Sequence, residues 1–389
     1  MDPVRNPYSP GAGRPPAALV GRQRQIDTWQ VALDRITAGR DAQSVVLYGL
    51  RGVGKTVLLS RFESAARKAG WLVAKVEARS GGSVREEIGE AFREPLHELA
   101  RPGVGTRVLR ALKTALSFKA SYDSSGNWNF GLDLSEAAGG GAGTGSFESD
   151  LGTLLRDLCG AAEADGTGVA LLIDEAQDLS PEEMLSLCAI IHAANQRSER
   201  LLVGLAGLPS LPKKLAEAKS YAERLFAYHP VVALEQRDAR TALEEPAHKE
   251  DVSWDADAVD YVVAEAGGYP YFLQQYGQET WAVAHESPLS LHSARLGVAQ
   301  GRAALDTGFF RSRWDRATRA EREYLRAMAQ DGDSGSSSSE VAARLGREPS
   351  ALGPARNKLI RKGLIYSPEH GVVAYTVPGM ADFVLRQPG

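Results

Sequence analysis

Hydrophobic positions fall into short solid runs separated by longer stretches in which apolar residues recur every three or four positions. Ser44–Gly49 (SVVLYG) is the first solid run. Trp71–Ala78, Val169–Ala176, Leu201–Gly207 and Pro230–Glu235 follow it. Such β-branched, unalternated runs suit strands buried on both faces. Helical spacing fills the gaps at 55–69, 84–101, 147–163, 181–197 and 212–227, and Ile26, Trp29, Leu33 and Ile36 mark an amphipathic helix over 21–39. Strand and helix in alternation predict an α/β fold, a parallel sheet covered by helices on both faces.

Other segments break this rhythm. Residues 1–18 hold five prolines and are expected to be a disordered lead-in. Leu116–Leu134 alternates around Asp123-Ser-Ser-Gly-Asn127 and predicts a hairpin; a glycine-rich tether follows, so 102–146 is expected to be an insertion in a sheet domain spanning 19–236. Helical patterns continue over 237–308 as a lid. From Phe309 to Gly389 the order is helix, a polar loop at 331–339 expected to be mobile, a short helix, a helix over 351–362, and a two-stranded wing around Pro368-Glu-His-Gly371. That is the winged-helix pattern.

The length of 389 residues agrees with two or three folding units. No apolar run approaches the ~18 residues a spanning helix needs, and no membrane partner is expected. Cys159 and Cys188 form no disulfide framework and match no metal spacing, which points to a cytoplasmic setting; the histidines share no ligand spacing either. Net charge is −4, unevenly spread: 311–389 carries 13 Lys+Arg against 9 Asp+Glu, so the basic excess lies at the C-terminal end.

The sharpest chemical signal is Gly49-Leu-Arg-Gly-Val-Gly-Lys-Thr56, which fits G-x-x-x-x-G-K-[ST] between a strand and a helix. Gly49, Gly52, Val53 and Gly54 supply backbone N–H groups around phosphate oxygens, and the helix N-terminus through Val57 adds its positive end. Lys55 is expected to reach the β and γ phosphates, and Thr56 to offer a hydroxyl to Mg²⁺. The run Val169–Ile173 ends in Asp174 and Glu175: the first suits the Mg²⁺ shell, the second a base for the attacking water. The same acids would also suit a helix start, and that alternative stays open. No Asn-Lys-x-Asp tetrad is present, which favours ATP over GTP.

With these motifs in place, residues 19–385 resemble the AAA+/STAND group of P-loop ATPases, in its archaeal-type and replication-initiator-like branch. The resemblance implies that Leu19-Val20-Gly21-Arg22 borders the adenine, with Val20 and Arg22 in contact. It implies a polar sensor after the fourth strand, where only Ser210 offers a hydroxyl. It makes Arg224, in Ser220–Phe226, an arginine finger acting on a neighbour's ATP in a homo-oligomer; a surface arginine is the alternative. Where such lids carry an arginine this chain has Pro270, in Gly268-Tyr-Pro270, which is similar to the motif that abuts nucleotide in STAND switches. The winged helix resembles DNA-binding tails, with Ser350, Arg356, Lys358, Arg361 and Lys362 on the DNA-facing helix; Arg361 and Lys362 would equally cap its C-terminus. Two expectations follow. One is an ATP-hydrolysing, oligomerising switch that acts on DNA; the other is a signalling or scaffold NTPase whose winged helix docks a protein or autoinhibits.

Overall fold

The computed structural model describes residues 1–388 apart from 12, 80, 83, 101–103, 123–133, 135–138 and 140. Five parallel strands build the central sheet: β1 (Ser44–Tyr48), β2 (Leu72–Glu77), β3 (Val169–Asp174), β4 (Leu201–Gly207) and β5 (Phe226–Pro230), in the order β2-β3-β4-β1-β5. Side chains alternate between the faces of each strand. Val45 and Leu47 therefore pack on one face with Trp29 and Phe62, while Val46 enters the opposite core with Leu171 and Val203. Helices α1 (Gln23–Thr37) and α2 (Lys55–Lys68) cover the first face, where the Trp29 and Phe62 rings stack at 4.6 Å. Helices α3 (Val84–Ala91), α4 (Arg93–Leu99), α5 (Thr106–Tyr122), α6 (Phe147–Ala164), α7 (Pro181–Gln196), α8 (Leu211–Ala218) and α9 (Ala222–Leu225) supply the second core.

The fifth strand lies earlier than its apolar run predicts. Residues 226–230 pair with β1, Ser44 against Phe226 through Tyr48 against Pro230. Val231 makes one more contact, its N–H donating to the Tyr48 carbonyl, after which the chain leaves the sheet and Val232 is exposed. Of the run Pro230–Glu235 only Pro230 and Val231 bond to β1; the rest leaves the sheet. Helical patterns at 84–101 and 212–227 each divide into two helices, the second giving way to β5 at Phe226.

The expected hairpin is also corrected on its first arm: 116–122 are the last turns of α5. Ala111, Leu112, Ala115 and Phe118 recur at helical spacing and are buried against α3 and α6, and this burial outweighs the local alternation. The second arm lies outside the described residues.

The lid consists of α10 (Gln236–His248), α11 (Ala256–Ala266), α12 (Pro270–Val283) and α13 (Leu291–Ala304). The N-terminal segment, expected to be disordered, lies against it. Tyr8 is 3% exposed; its hydroxyl donates to the Leu243 carbonyl and accepts from Trp254 Nε1 at 2.8 Å. Trp281 Nε1 donates to the Asp2 carbonyl at 2.8 Å. Prolines reduce the entropy lost when an extended segment is pinned, so a proline-rich stretch with one aromatic anchor can be ordered at modest cost.

A π-helical turn over Leu305–Phe310 joins the lid to α14 (Arg311–Asp315) and the winged unit. That unit runs α15 (Arg319–Ala329), β6 (Ser336–Ser337), α16 (Ser338–Arg344), α17 (Pro349–Arg361), β7 (Ile365–Tyr366), β8 (Val372–Tyr375) and α18 (Met380–Leu385), with sheet order β6-β8-β7. Thr318 and Glu321 close a capping box on α15. The loop expected to be mobile contributes β6: Ser336 is buried and its hydroxyl donates to the Met328 carbonyl at 3.1 Å. An aromatic cluster fixes the joint, with Tyr271 stacked on Phe309 at 4.8 Å and Phe310 on Phe383 at 5.4 Å.

Candidate nucleotide site

β1 lies inside the sheet between β4 and β5, so the loop leaving its C-terminal end is held from both sides. The Gly49 N–H donates to the Gly207 carbonyl at 3.1 Å. A Cβ on Gly49 would stand 2.0 Å from the Val231 carbonyl oxygen, which excludes any side chain there. Gly54 has φ +99° and caps α2, a conformation an L side chain adopts only under strain. Lys55 opens that helix and is buried; its ammonium donates to the Gly49 and Leu50 carbonyls at 2.8 and 2.7 Å. Burial pushes its pKa down to about 8, with Glu175 and Asp174 opposing the shift.

At the end of β3, Asp174 Oδ2 accepts from Thr56 Oγ1 at 2.7 Å and Oδ1 accepts from the Glu175 N–H at 2.8 Å. Glu175 stands at φ +48°, an uncommon left-handed conformation for a non-glycine residue. Its carboxylate is held by two donors: Arg51 Nη1 at 2.7 Å on Oε1 and Gln177 Nε2 at 2.6 Å on Oε2. Gln177 is fixed in turn, its Oε1 accepting from the Leu208 N–H at 2.9 Å. The Thr56 hydroxyl and Asp174 carboxylate are hard oxygen donors side by side, the set that suits Mg²⁺ with part of its water retained.

These groups open onto one cavity of about 340 Å³. The loop from Arg51 to Val57 and Glu175 line it. Leu19, Val20 and Arg22 also line it, with Ser9, Pro10, Pro16 and Ala18 of the N-terminal segment. Arg22 is buried and donates to the Val53 and Val232 carbonyls at 3.1 and 2.6 Å. The lid contributes Pro270, at the first turn of α12, with Tyr271 and Gln274; the joint contributes Phe309 and Arg313.

Of the residues singled out by sequence, the structure brings Val20, Arg22, Gly52, Val53, Gly54, Lys55, Thr56, Val57, Glu175 and Pro270 to this cavity, with Gly49 and Asp174 directly behind its wall. Ser210 precedes α8, is buried and does not line it; Gln177 occupies the space beneath Gly207 instead. Arg224, in the last turn of α9, is exposed, does not line the cavity and forms no ion pair among the described residues. On α17 the expected cationic face is smaller than foreseen. Arg356 Nη2 donates to Ser367 Oγ at 3.1 Å, and Lys362 pairs with Glu321 at 2.6 Å; Ser350, Lys358 and Arg361 remain exposed. Sequence reasoning passed over Arg51, Gln177, Tyr271 and Arg313. Arg51 holds a variable position of the loop motif. Only the Phe309-Phe310 pair beside arginines, at a domain junction, could have drawn attention to Arg313.

Comparison with known proteins bears on the same region. Residues 18–203 match the family described as AAA ATPase domain, and 307–384 match a domain of unknown function (DUF8462). No curated protein matches the chain. Among solved structures the chain is similar to a Walker-type ATPase of Pyrococcus abyssi, at 16% identity and TM-score 0.54 over 96% of this chain and 98% of that one. It is also similar to Aeropyrum pernix Orc1 solved in complex with DNA (18% identity, TM-score 0.47, 96% and 94% covered). A third is the RuvB Holliday junction branch migration motor of Thermotoga maritima (14% identity, TM-score 0.44, 91% and 92% covered). The loop, the paired acids and the strand order agree with the similarity of residues 18–203 to the AAA ATPase domain family.

Proposed function

We propose that this protein is a Mg²⁺-dependent ATPase that works as a slow, partner-controlled switch. The carrying observation is the convergence of Lys55, the Thr56–Asp174 pair and Glu175 on one cavity. In this reading the loop N–H groups and Lys55 hold the β and γ phosphates, and the adenine lies between Val20, Arg22 and the proline-rich segment. Thr56 and Asp174 hold Mg²⁺, which would supply charge neutralisation at the phosphates. Glu175 accepts a proton from water as that water attacks the γ phosphorus and the bond to the β-bridging oxygen breaks, leaving ADP and phosphate.

Slow turnover follows from the state of Glu175. Its carboxylate is already engaged by Arg51 and Gln177, and the Arg51 backbone N–H donates to the Thr376 carbonyl of the winged unit at 2.9 Å. That contact favours a winged unit that restrains the loop over one that only carries a DNA-binding face. DNA contact, in this reading, uses Ser350, Lys358 and Arg361, is weak per copy, and becomes useful in a homo-oligomer in which Arg224 reaches a neighbour's ATP. The test is steady-state ATP turnover with and without duplex DNA, together with particle mass in ADP and in a non-hydrolysable ATP analogue. Turnover absent under every condition, with no nucleotide binding, would overturn the reading. DNA-independent turnover that rises on removal of 309–389 would leave the winged unit as an autoinhibitory or protein-docking module.

A further inference from the structure

A separate cavity of about 320 Å³ lies within the winged unit, where α15, the junction of β6 with α16, the first half of α17 and the wing meet. Its walls are tied together. The Ser338 N–H donates to the Gly371 carbonyl at 2.7 Å, which joins the start of α16 to the wing. Arg356 Nη2 donates to Ser367 Oγ at 3.1 Å, and that hydroxyl is fixed by the Glu369 and Val372 carbonyls at 2.7 and 2.9 Å. Two polar atoms of lining residues are left over: Arg356 Nε and Ser338 Oγ are both buried, and neither has a hydrogen-bond partner. Buried polar groups are nearly always paired, so two unpaired ones on the same cavity point to an acceptor that belongs there. No carboxylate lines the cavity, and Arg356 forms no ion pair among the described residues. The rest of the wall includes an apolar side, made by the buried Tyr324 and Leu352 with Pro349.

We propose that this cavity binds a small organic carboxylate. One carboxylate oxygen accepts from Arg356 Nε and the other from the Ser338 hydroxyl, while the organic part packs on Tyr324, Leu352 and Pro349. Charge selects the class. Arg356 is the one permanent cation of the lining, and a monoanion balances it. A dianionic phosphate would carry in a second negative charge with no fixed cation to offset it. Size agrees, since small-molecule pockets begin at about 300 Å³. The inference is independent of the nucleotide site, because no residue lines both cavities. It gives the winged unit a ligand of its own, distinct from any duplex met by the exposed Ser350, Lys358 and Arg361.

The test titrates the full chain with benzoate, with benzamide as the neutral molecule of the same shape, and with inorganic phosphate. The reporters are the nuclear magnetic resonances of the Arg356 Nε–H and the Gly371 backbone amide. Benzoate should shift both saturably, with a Kd of about 1 mM or tighter, and benzamide should shift neither. Ser338→Ala should weaken benzoate binding by about fivefold or more. Arg356→Gln, followed at Gly371, should abolish it; if that variant does not fold, Ser338→Ala decides. No response to benzoate would mean that water satisfies both buried atoms and would overturn the proposal. An equal response to benzamide would overturn it by removing the role of charge, and a tighter response to phosphate would overturn the choice of a carboxylate. Unchanged benzoate affinity in Ser338→Ala would reduce the contact to surface pairing at Arg356 and overturn it as well.

Discussion

Lys55 allows a prediction with a definite sign. Its ammonium is buried, and burial lowers its pKa from 10.5 to about 8 in the nucleotide-free protein. Phosphates require the protonated form, and their charge would raise the pKa once bound. Affinity is therefore full below pH 8 and is lost as pH rises through it. For a pKa of about 8, the protonated fraction falls about 20- to 30-fold between pH 7.5 and 9.5, worth about 2 kcal/mol in apparent binding free energy. Titration calorimetry with a non-hydrolysable ATP analogue at half-unit steps measures this directly. At pH 9 each binding event should also take up nearly one proton, seen as an enthalpy that varies with buffer ionisation heat. Affinity constant within twofold up to pH 9.5, or binding without proton uptake at pH 9, would refute the reasoning and mean that Lys55 is as well solvated as a surface lysine.

The other outcomes concern residues whose roles differ in kind. Glu175→Gln should still bind ATP but turn over at least ~100-fold more slowly, the scale of losing a general base; unchanged single-turnover rates would assign the water to another group. Mixing Arg224→Ala protein with Glu175→Gln protein should restore measurable turnover if sites are shared between subunits, and a mixture as inactive as either alone, monomeric in ATP by mass, would leave Arg224 as surface. Replacing Lys358 and Arg361 by alanine should reduce the slope of log affinity against log salt for duplex DNA by about two. An unchanged slope would place any DNA contact elsewhere.

The loop and its acids were legible because their chemistry is local. Glycines that admit inward N–H groups, a lysine at the start of the following helix, and carboxylates at a strand end stand in fixed short spacings, and the buried strands announce themselves as unbroken β-branched runs. β1 through β4 and the helices α1, α2, α6 and α7 follow from that periodicity. β5 did not, because an apolar run need not lie in the sheet: Val232, Ala233 and Glu235 are exposed once the chain has left the sheet, while the less apolar 226–230 takes the ladder beside β1. Local alternation misled at 116–122 for the same reason, since the helical stripe of α5 is rewarded only when α3 and α6 are present. The order of the N-terminal prolines depends on Tyr8 finding Leu243 and Trp254, more than two hundred residues away.

The cavity shows the same division. Sequence spacing could name Lys55, Thr56, Asp174 and Glu175, but not the pairing of Glu175 with Arg51, 124 residues apart, nor the arrival of Arg313 from the joint. It credited Arg356 and Lys362 with a free surface because charge is visible in a sequence, and the hydrogen bond of Arg356 to Ser367 and the ion pair of Lys362 with Glu321 are not. Short-range backbone chemistry and hydrophobic period are properties of the chain. The partner of each charged group is a property of the packing, because the attraction between charges grows as they approach and leave water, and only the folded chain brings residues so distant in sequence together.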